Sequence, residues 1–547
     1  MKKVILTWLL LGAGAFAISR TLGQGKPPSE PPLRSALPKI EMAVRDTTDL
    51  KVFLDRLDVQ VEALRTAGQL EHYYQLKGWP APNLQAYQEL LASLFQNRDY
   101  AQVVKTWQAK AQDPQLRRRL ELYADGFRLA LVDPGLVQEF FALQSKLTQA
   151  SRTLKLRVGG RDITNTERLK ILQKESDRQQ RQEAFLASAA VAERVAPDVL
   201  KLMKTYNAIY RQAGFNDAVE GVLAGSELSR AEVLDVVSRL MKLTRPLYQQ
   251  LIERVKHDLK VEEVQPWDVF YWTEQQADYP VPAFPHEKAK PRLFAFMQGL
   301  GFKTDRLPIH IEETNLSFLG LAIPVHIPNE TRILTNRVDG IHFYATLFHE
   351  YGHALHQTLI DQNLGTFRGI GPGAFAEGLA HVMESFIYDR EWLRQTTGLS
   401  DEDIGKYQGI ERLRRAHRIR ETLAGVVFEY ELFAQPEQDP HALYNKTRAE
   451  YLFLPPAEKT LWADNPLYIT HQVYQQNYLI AHMVAAQVRR ALTQRFNGRV
   501  IGNTRVAGFL REHFYKHGRA KPWKEMVLQA TGKPLSVDAL AEELAGK

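Results

Sequence analysis

The residues best suited to chemistry in this sequence are two histidines and a glutamate within Thr346–His356. His349, Glu350 and His353 form the pattern His-Glu-x-x-His. On a helix, positions four residues apart lie one turn apart on the same face, so both imidazoles can bind one metal ion with the glutamate beside it. The pattern therefore predicts a metal-dependent hydrolytic site, with Glu350 as the general base.

A third metal ligand is expected from a second helix that follows shortly afterwards. Catalytic zinc takes three protein ligands, and a carboxylate commonly joins two histidines. Gly371 and Pro372 predict a turn, and the helix that begins after it carries Glu377 near its start. An antiparallel helix pair would return Glu377 to the two histidines. We therefore predict Glu377 as the third ligand and one zinc ion per chain as the cofactor.

The elements that must position these residues are mainly helical. The flanks of the histidine pair are apolar or small, as expected of a buried helix. From about residue 40 to 210, apolar residues recur at spacings of three and four, which predicts successive antiparallel helices. Just before the histidine pair, three short β-branched segments predict a small sheet, at 308–311, 322–327 and 331–334. An exposed edge strand there could pair with an extended peptide.

The composition indicates a globular chain with a large core. Of its 547 residues, 44% are hydrophobic and 10% aromatic, and there is no cysteine, which excludes disulfides. The net charge of +7 is dispersed, without a long basic run or a nucleic-acid motif. We therefore expect a solvated basic surface and no nucleic-acid partner.

The N-terminus predicts export from the cytoplasm. Residues 1–17 combine two lysines, a short apolar run and Ala15-Phe16-Ala17, the pattern of a signal peptide. Residues 18–39 read as a Pro-rich linker, and 40–547 as a single helical domain. The expected location is periplasmic or secreted. The apolar run is short for a membrane span, so insertion is expected only if the signal stays uncleaved.

Two further stretches lie downstream. His471, Tyr474 and Tyr478 are spaced so that a continuous helix would align them along one stripe. Such a stripe alone is more often part of a core than catalytic. The charged stretch 411–420, with His417, predicts a solvated helix face.

In combination, these motifs resemble the helical gluzincin zinc peptidases of the thimet oligopeptidase and angiotensin-converting enzyme type. His349-Glu-Tyr-Gly-His-Ala-Leu-His356 is similar to the extended signature of that group. The interval from His349 to Glu377 resembles the converting enzymes, and the position of Glu384 resembles the oligopeptidases. The resemblance extends from about Gln149 onward. It implies a mainly α, two-lobed peptidase with a deep central channel and a small sheet beside the metal helix.

The resemblance also implies the activity. It points to an oligopeptidase or peptidyl-dipeptidase that acts on short peptides as a monomer. His471, Tyr478 and Tyr474 would donate hydrogen bonds to the tetrahedral oxyanion. His381 stands where converting enzymes have an acidic residue, which leaves the group that orients the zinc histidines unassigned.

Two alternatives stay open at this stage. One is a non-catalytic peptide-binding or folding-helper protein that keeps zinc for structure, against which Glu350 and His471 argue, since structural zinc needs neither. The other is a metallocarboxypeptidase that removes one residue at a time. Product masses would distinguish this last activity from dipeptide release.

Overall fold

The protein is described by a computed structural model over residues 38–153, 156–276, 279–316 and 318–546. Helices dominate and the sheets are small, which confirms the predicted mainly α fold. The predicted signal peptide and nearly all of the predicted linker lie outside the described residues. Within the described ranges, no helix combines the length and the apolar character that a membrane span requires.

The helices and strands follow one another along the chain with few long connections. The α-helices are α1 (Thr47–Leu76), α2 (Leu84–Phe95), α3 (Arg98–Gln108), α4 (Pro114–Gly126), α5 (Pro134–Thr153), α6 (Asn165–Lys174), α7 (Arg178–Gln212), α8 (Ala218–Gly225), α9 (Arg230–Leu259), α10 (Pro266–Gln276), α11 (His286–Gly299), α12 (Ile341–Thr358), α13 (Gly373–Ser385), α14 (Arg390–Thr397), α15 (Asp401–Ala434), α16 (Pro440–Leu452), α17 (Leu467–Thr470), α18 (Gln476–Arg495), α19 (Val506–His513), α20 (Trp523–Thr531) and α21 (Asp538–Leu544). The strands are β1 (Leu156–Val158), β2 (Arg161–Ile163), β3 (Ile309–Glu313), β4 (Gly320–His326) and β5 (Glu330–Thr335). Short 3-10 turns lie at Arg128–Leu131, Val281–Ala283, Gly365–Phe367, Phe386–Tyr388, Trp462–Asp464 and Tyr515–His517.

The chain forms two compact units, each assembled from separated segments. The first unit contains the chain up to Leu131 together with Pro280–Gly398 and Ala481–Ser536. The second unit contains Val132–Tyr279, Leu399–Ile480 and the segment from Val537 onward. The boundary at residue 480 falls inside α18. Both metal-motif helices, α12 and α13, belong to the first unit.

Local sequence explains where many helices begin. Before α9, Ser229 and Glu232 form a reciprocal capping box, as their spacing predicts. The backbone N–H of Ser229 donates to Oε2 of Glu232 at 2.8 Å, and the N–H of Glu232 donates to Oγ of Ser229 at 3.2 Å. Two of the donors that a helix start leaves unpaired are thereby satisfied.

The three β-branched segments before the metal motif form one sheet, as predicted. Its order is β3-β5-β4, with β3 parallel and β4 antiparallel to the central strand β5. Ile323, Val325 and Leu334 are buried in a cluster with Tyr73 of α1, which anchors one face of the sheet. β4 is consequently an edge strand that is held in place by core packing.

The charged stretch 411–420 in the second unit is more buried than the sequence predicts. Composition predicts a solvated helix face, but Arg420 is fully buried. Its Nη1 donates to the carbonyl oxygen of Met241 at 3.1 Å. The ring of His417 stacks on Tyr248 with centroids 5.8 Å apart. The prediction was wrong because carbonyl acceptors from other helices, distant in sequence, satisfy the guanidinium inside the core.

Candidate metal centre

The metal motif is built on two helices that approach each other unusually closely. α12 carries the histidine pair and α13 carries Glu377, five residues into the helix. Gly352 permits the contact, because a Cβ at this position would lie 2.8 Å from Cα of Ala380 on α13. The close approach brings the start of α13 against the histidine face of α12.

Three side-chain donors converge where the sequence predicts them. Nε2 of His349 and Nε2 of His353 are 3.1 Å apart. Oε2 of Glu377 lies 3.3 Å from the first of these nitrogens and 3.7 Å from the second. Donors about 2.0–2.1 Å from a tetrahedral ion are separated by about 3.3 Å. The residues present therefore fit a single metal ion.

The protonation of Glu377 suits a metal ligand. Burial alone would raise its pKa, but hydrogen bonds from protonated Nε2 atoms of His349 and His353 hold that pKa well below its usual range, and a bound cation would take the place of those protons. A ligand carboxylate must be ionised to bind metal. Glu377 meets that requirement near neutral pH.

Glu384 supplies the orienting group that the sequence left unassigned. Its Oε2 accepts a hydrogen bond from Nδ1 of His349 at 3.0 Å and lies 2.6 Å from Nδ1 of His381. Burial would raise the pKa of Glu384, but the charge of His381 and the hydrogen bonds from both histidines hold it well below its usual range. A neutral His349 that donates Nδ1–H keeps its Nε2 lone pair for metal. Spacing could have indicated this residue, because Glu384 follows Glu377 by two helical turns on the same face.

A second group of potential ligands overlaps the first. One nitrogen each of His349 and His381 and a carboxylate oxygen of Glu384 also lie within 4.8 Å of one another. When Nε2 of His349 is the ligand atom, its Nδ1 carries the proton and cannot bind a second ion. This second group is therefore a hydrogen-bond network behind the metal donors. Nδ1 of His353, by contrast, is buried without a partner among the described residues.

Glu350 is held beside the donor set by the sheet. Its side chain is 9% exposed, and Oε2 accepts the backbone N–H of Ala322 on β4 at 2.7 Å. Burial raises the pKa of Glu350. A carboxylate whose pKa lies closer to neutrality is better suited to accept and return a proton. The edge strand thus positions this residue, while its hydrogen bond opposes part of the rise in pKa that burial causes.

The remaining predicted site residues lie in the second unit. Ring centroids of His471 and Tyr474 are 5.6 Å apart, and those of Tyr474 and Tyr478 are 5.4 Å apart. Burial lowers the pKa of His471, which favours the neutral ring. The structure therefore gathers these three side chains into one aromatic group, while the predicted metal ligands and Glu350 are gathered in the first unit.

The continuous helix expected through this aromatic group is absent from the described chain. α17 ends at Thr470 and α18 begins at Gln476. Between them Val473 has a φ of 56°, a left-handed conformation that a β-branched residue rarely adopts. Its N–H donates to Oε1 of the buried Glu429 at 2.6 Å. A hydrogen bond donated by Val473 to a different helix, α15, thus stabilises a break that helical spacing could not indicate.

Comparison with solved structures shows a shared fold. The crystal structure of the M32 carboxypeptidase from Deinococcus radiodurans R1 matches with a TM-score of 0.64. The match covers 92% of this chain and 100% of the other, at 15% sequence identity. At such low sequence identity, the match establishes a shared fold and no more. No curated protein matches the chain.

Comparison with protein families gives the identity of the chain. Residues 171–301 and 333–546 match Peptidase family M3. These two segments make up more than half of the sequence and include the histidine pair, Glu350, Glu377 and Glu384. The match confirms the resemblance predicted from the motifs and identifies a metallopeptidase. The chain belongs to Peptidase family M3.

Proposed function

We propose that this M3 peptidase is a zinc enzyme that hydrolyses short peptides, as an oligopeptidase or a peptidyl-dipeptidase. One observation carries the proposal: a buried glutamate, Glu350, anchored by the backbone N–H of Ala322, stands beside three converging metal donors. A purely structural metal site has no use for such a base. The arrangement therefore favours hydrolysis over structural metal binding.

His349, His353 and Glu377 would hold the metal, with two nitrogens and one oxygen as donors. This donor set suits zinc, because imidazole and carboxylate ligands are typical of its catalytic sites. When bound, zinc supplies Lewis acidity that polarises a carbonyl and makes water a stronger nucleophile. Glu384 keeps His349 in the orientation and tautomer that this role requires.

Glu350 would move the proton. It takes a proton from the attacking water and delivers it to the amine that leaves when the peptide bond breaks. The hydrogen bond from Ala322 occupies Oε2, so Oε1 is the oxygen that accepts the proton in this proposal. The raised pKa of Glu350 favours the first of these transfers, in which the carboxylate accepts the proton from water.

The edge strand β4 would bind the substrate backbone. Strand β4 is paired with β5 on one side only, and its Ala322 N–H donates to Glu350 rather than to β5. An extended peptide that paired with this edge would place its backbone next to the catalytic carboxylate. Such pairing binds a peptide without reading its side chains, as a general oligopeptidase requires.

Other parts of the proposal depend on the family resemblance and on the N-terminal sequence. His471, Tyr478 and Tyr474 are proposed to stabilise the oxyanion by analogy with related peptidases. Export directed by residues 1–17 would place the enzyme in the periplasm or outside the cell. Its partners would then be exported or imported short peptides, with the protein acting as a monomer.

One alternative activity has specific support. One solved structure with a similar fold is a carboxypeptidase. Release of single C-terminal residues is therefore the second candidate, and it would use the same metal donors and the same base. Only the length of the released product separates the two.

The test is hydrolysis of a mixed set of short and long peptides, followed by mass spectrometry. We expect zinc-loaded wild type to cut short peptides, and Glu350→Gln to be slower by about a hundred- to ten-thousandfold at unchanged zinc content. Glu391→Gln, an exposed carboxylate on α14, is the matched control and should retain wild-type rates. Product masses then distinguish dipeptide, single-residue and internal cleavage. A fully active Glu350→Gln, or a zinc-loaded wild type that cuts nothing, would refute the catalytic proposal.

A further inference from the structure

A small cavity in the first unit is lined by polar groups that the peptidase chemistry does not use. It has a volume of about 90 Å³ and lies among α1, α4 and the turn Gly365–Phe367. Side chains of Arg65, Tyr123, Thr366 and Arg519 contribute to its lining. Two arginines, 454 positions apart in the sequence, therefore border one small space.

Neither arginine has a carboxylate ion-pair partner among the described residues. Nε of Arg65 is inaccessible to solvent and has no hydrogen-bond partner there. Burial lowers the pKa of Arg65. Burial and the neighbouring charge of Arg65 lower the pKa of Arg519 to about 10. Two partly buried cations side by side are unfavourable unless a negative charge accompanies them.

Asp58, a buried acid near the cavity, already has hydrogen-bond partners. Its Oδ2 accepts a hydrogen bond from Nη2 of Arg119 at 3.0 Å. The hydroxyl groups of Tyr123 and Thr366 both donate to its Oδ1. With a guanidinium and two hydroxyls as partners, Asp58 is satisfied and is not paired with Arg65. It influences that arginine only at longer range.

A second acid, which lines the cavity, also has an ion-pair partner. Asp125 lines the cavity but forms an ion pair with Arg128, and its side chain is 42% exposed. Asp125 therefore pairs directly with Arg128 and favours the charged form of Arg519 only at longer range. Two arginines and one aspartate give the described lining a net charge of +1.

We propose that this cavity binds one small oxyanion, a phosphate, sulfate or carboxylate group, between Arg65 and Arg519. Guanidinium groups present planar forks of N–H donors that match the oxygens of such anions. The volume of about 90 Å³ is the space open to the centre of a water-sized sphere, on which measure one water needs about 10–15 Å³, so an anion of four or five heavy atoms fits.

The bound anion would also act on the connection between the two metal-motif helices. Thr366 belongs to the segment that joins α12 to α13. In the same segment, the carbonyl oxygen of Phe367 accepts the backbone N–H of Arg519 at 2.9 Å. A Cβ at Gly369 would lie 2.8 Å from Cδ of Arg519, so this side chain packs directly on the connection. An anion that fixes Arg519 would therefore also hold the connecting segment.

Isothermal titration calorimetry tests the proposal on the zinc-loaded full chain. Sodium phosphate, sulfate and acetate are titrated separately at constant ionic strength. We expect one saturable site per chain, and at least about tenfold weaker binding in Arg65→Gln and in Arg519→Gln. Arg56→Gln, an exposed arginine on the same helix as Arg65, is the matched control and should bind like wild type. The anion that binds most tightly indicates whether a phosphate or a carboxylate is the natural occupant.

Two results would overturn the proposal. One is the absence of saturable binding of all three anions to wild type. The other is unchanged affinity in both arginine variants, which is the result expected if phosphate binds at the metal centre instead. Should either variant fail to fold, hydrogen exchange of wild type decides. Saturating anion must slow exchange in the 365–369 segment, and unchanged exchange there refutes the site.

Discussion

Substitution of Gly352 by alanine should disturb the metal centre without touching any ligand. The new Cβ would lie 2.8 Å from Cα of Ala380, whereas ordinary contacts begin at 3.4 Å. The neighbour is backbone, which cannot rotate away, so α12 and α13 must separate by about 0.6 Å, the difference between these distances. Glu377 lies on α13 and both histidines lie on α12. The added methyl group thus moves one ligand away from the other two.

The size of this shift decides the expected outcome. A metal site tolerates deviations of about 0.2 Å in its ligand distances. A displacement of about 0.6 Å is three times larger, so metal affinity should fall by at least tenfold. Overpacking at a buried helix contact should also lower the free energy of unfolding by about 1–3 kcal/mol. Peptidase activity should then recover partly when zinc is supplied in excess.

Competition with a chromogenic zinc chelator measures the affinity, and denaturant unfolding measures the stability. Gly508→Ala is the matched control, because Gly508 also lies in a helix of the first unit but its Cβ would have no atom within 4 Å. That variant should bind zinc like wild type and be slightly more stable, since alanine favours helix over glycine. Wild-type zinc affinity in Gly352→Ala would refute the proposed dependence on helix spacing.

Three further predictions concern other groups. Glu384→Ala removes the hydrogen bond to Nδ1 of His349 and should weaken zinc binding by about ten- to hundredfold in the same chelator competition; unchanged affinity would contradict an orienting role. Burial raises the pKa of Glu429 to about 8, above its unfolded value of about 4.3, so its stabilising contribution is complete below that unfolded value and is lost as the pH rises through 8. Denaturant midpoints should therefore decline more between pH 4.3 and 8 in wild type than in Glu429→Gln, which keeps an acceptor for Val473; parallel pH profiles would refute this. Tyr478→Phe should lower turnover by about a hundred- to thousandfold at unchanged zinc content if its hydroxyl stabilises the oxyanion, and a wild-type kcat would exclude that role.

The parts of the fold that sequence could predict are those governed by local rules. Helical spacing places His349 and His353 on one face, and the Gly-Pro turn predicts a second helix that carries Glu377. β-branched segments between turn residues predict the three-stranded sheet. In each case the determining residues are close in sequence, so periodicity and turn chemistry suffice.

The failures share a different physical origin. The helix expected through His471 and Tyr478 breaks because Glu429, 44 positions before Val473, accepts the backbone N–H of that residue. Arg420 is buried because acceptors from other helices reach it, whereas composition predicts exposure. Neither contact leaves a periodic signal in the sequence, since each depends on how distant segments pack.

The metal donors could likewise be predicted from local sequence, whereas the groups that set their environment could not. The donors lie on two consecutive helices, and a change in any of them removes the site. The N–H of Ala322 and the packing at Gly352 set the environment of Glu350 and the spacing of the donors, and they come from tertiary contacts. A sequence comparison that checks only the ligands would therefore miss substitutions that alter proton transfer or metal affinity by tenfold or more. In this fold, a backbone amide of β4 positions the proposed base and a glycine in α12 sets the spacing of the ligands that the histidine motif reveals.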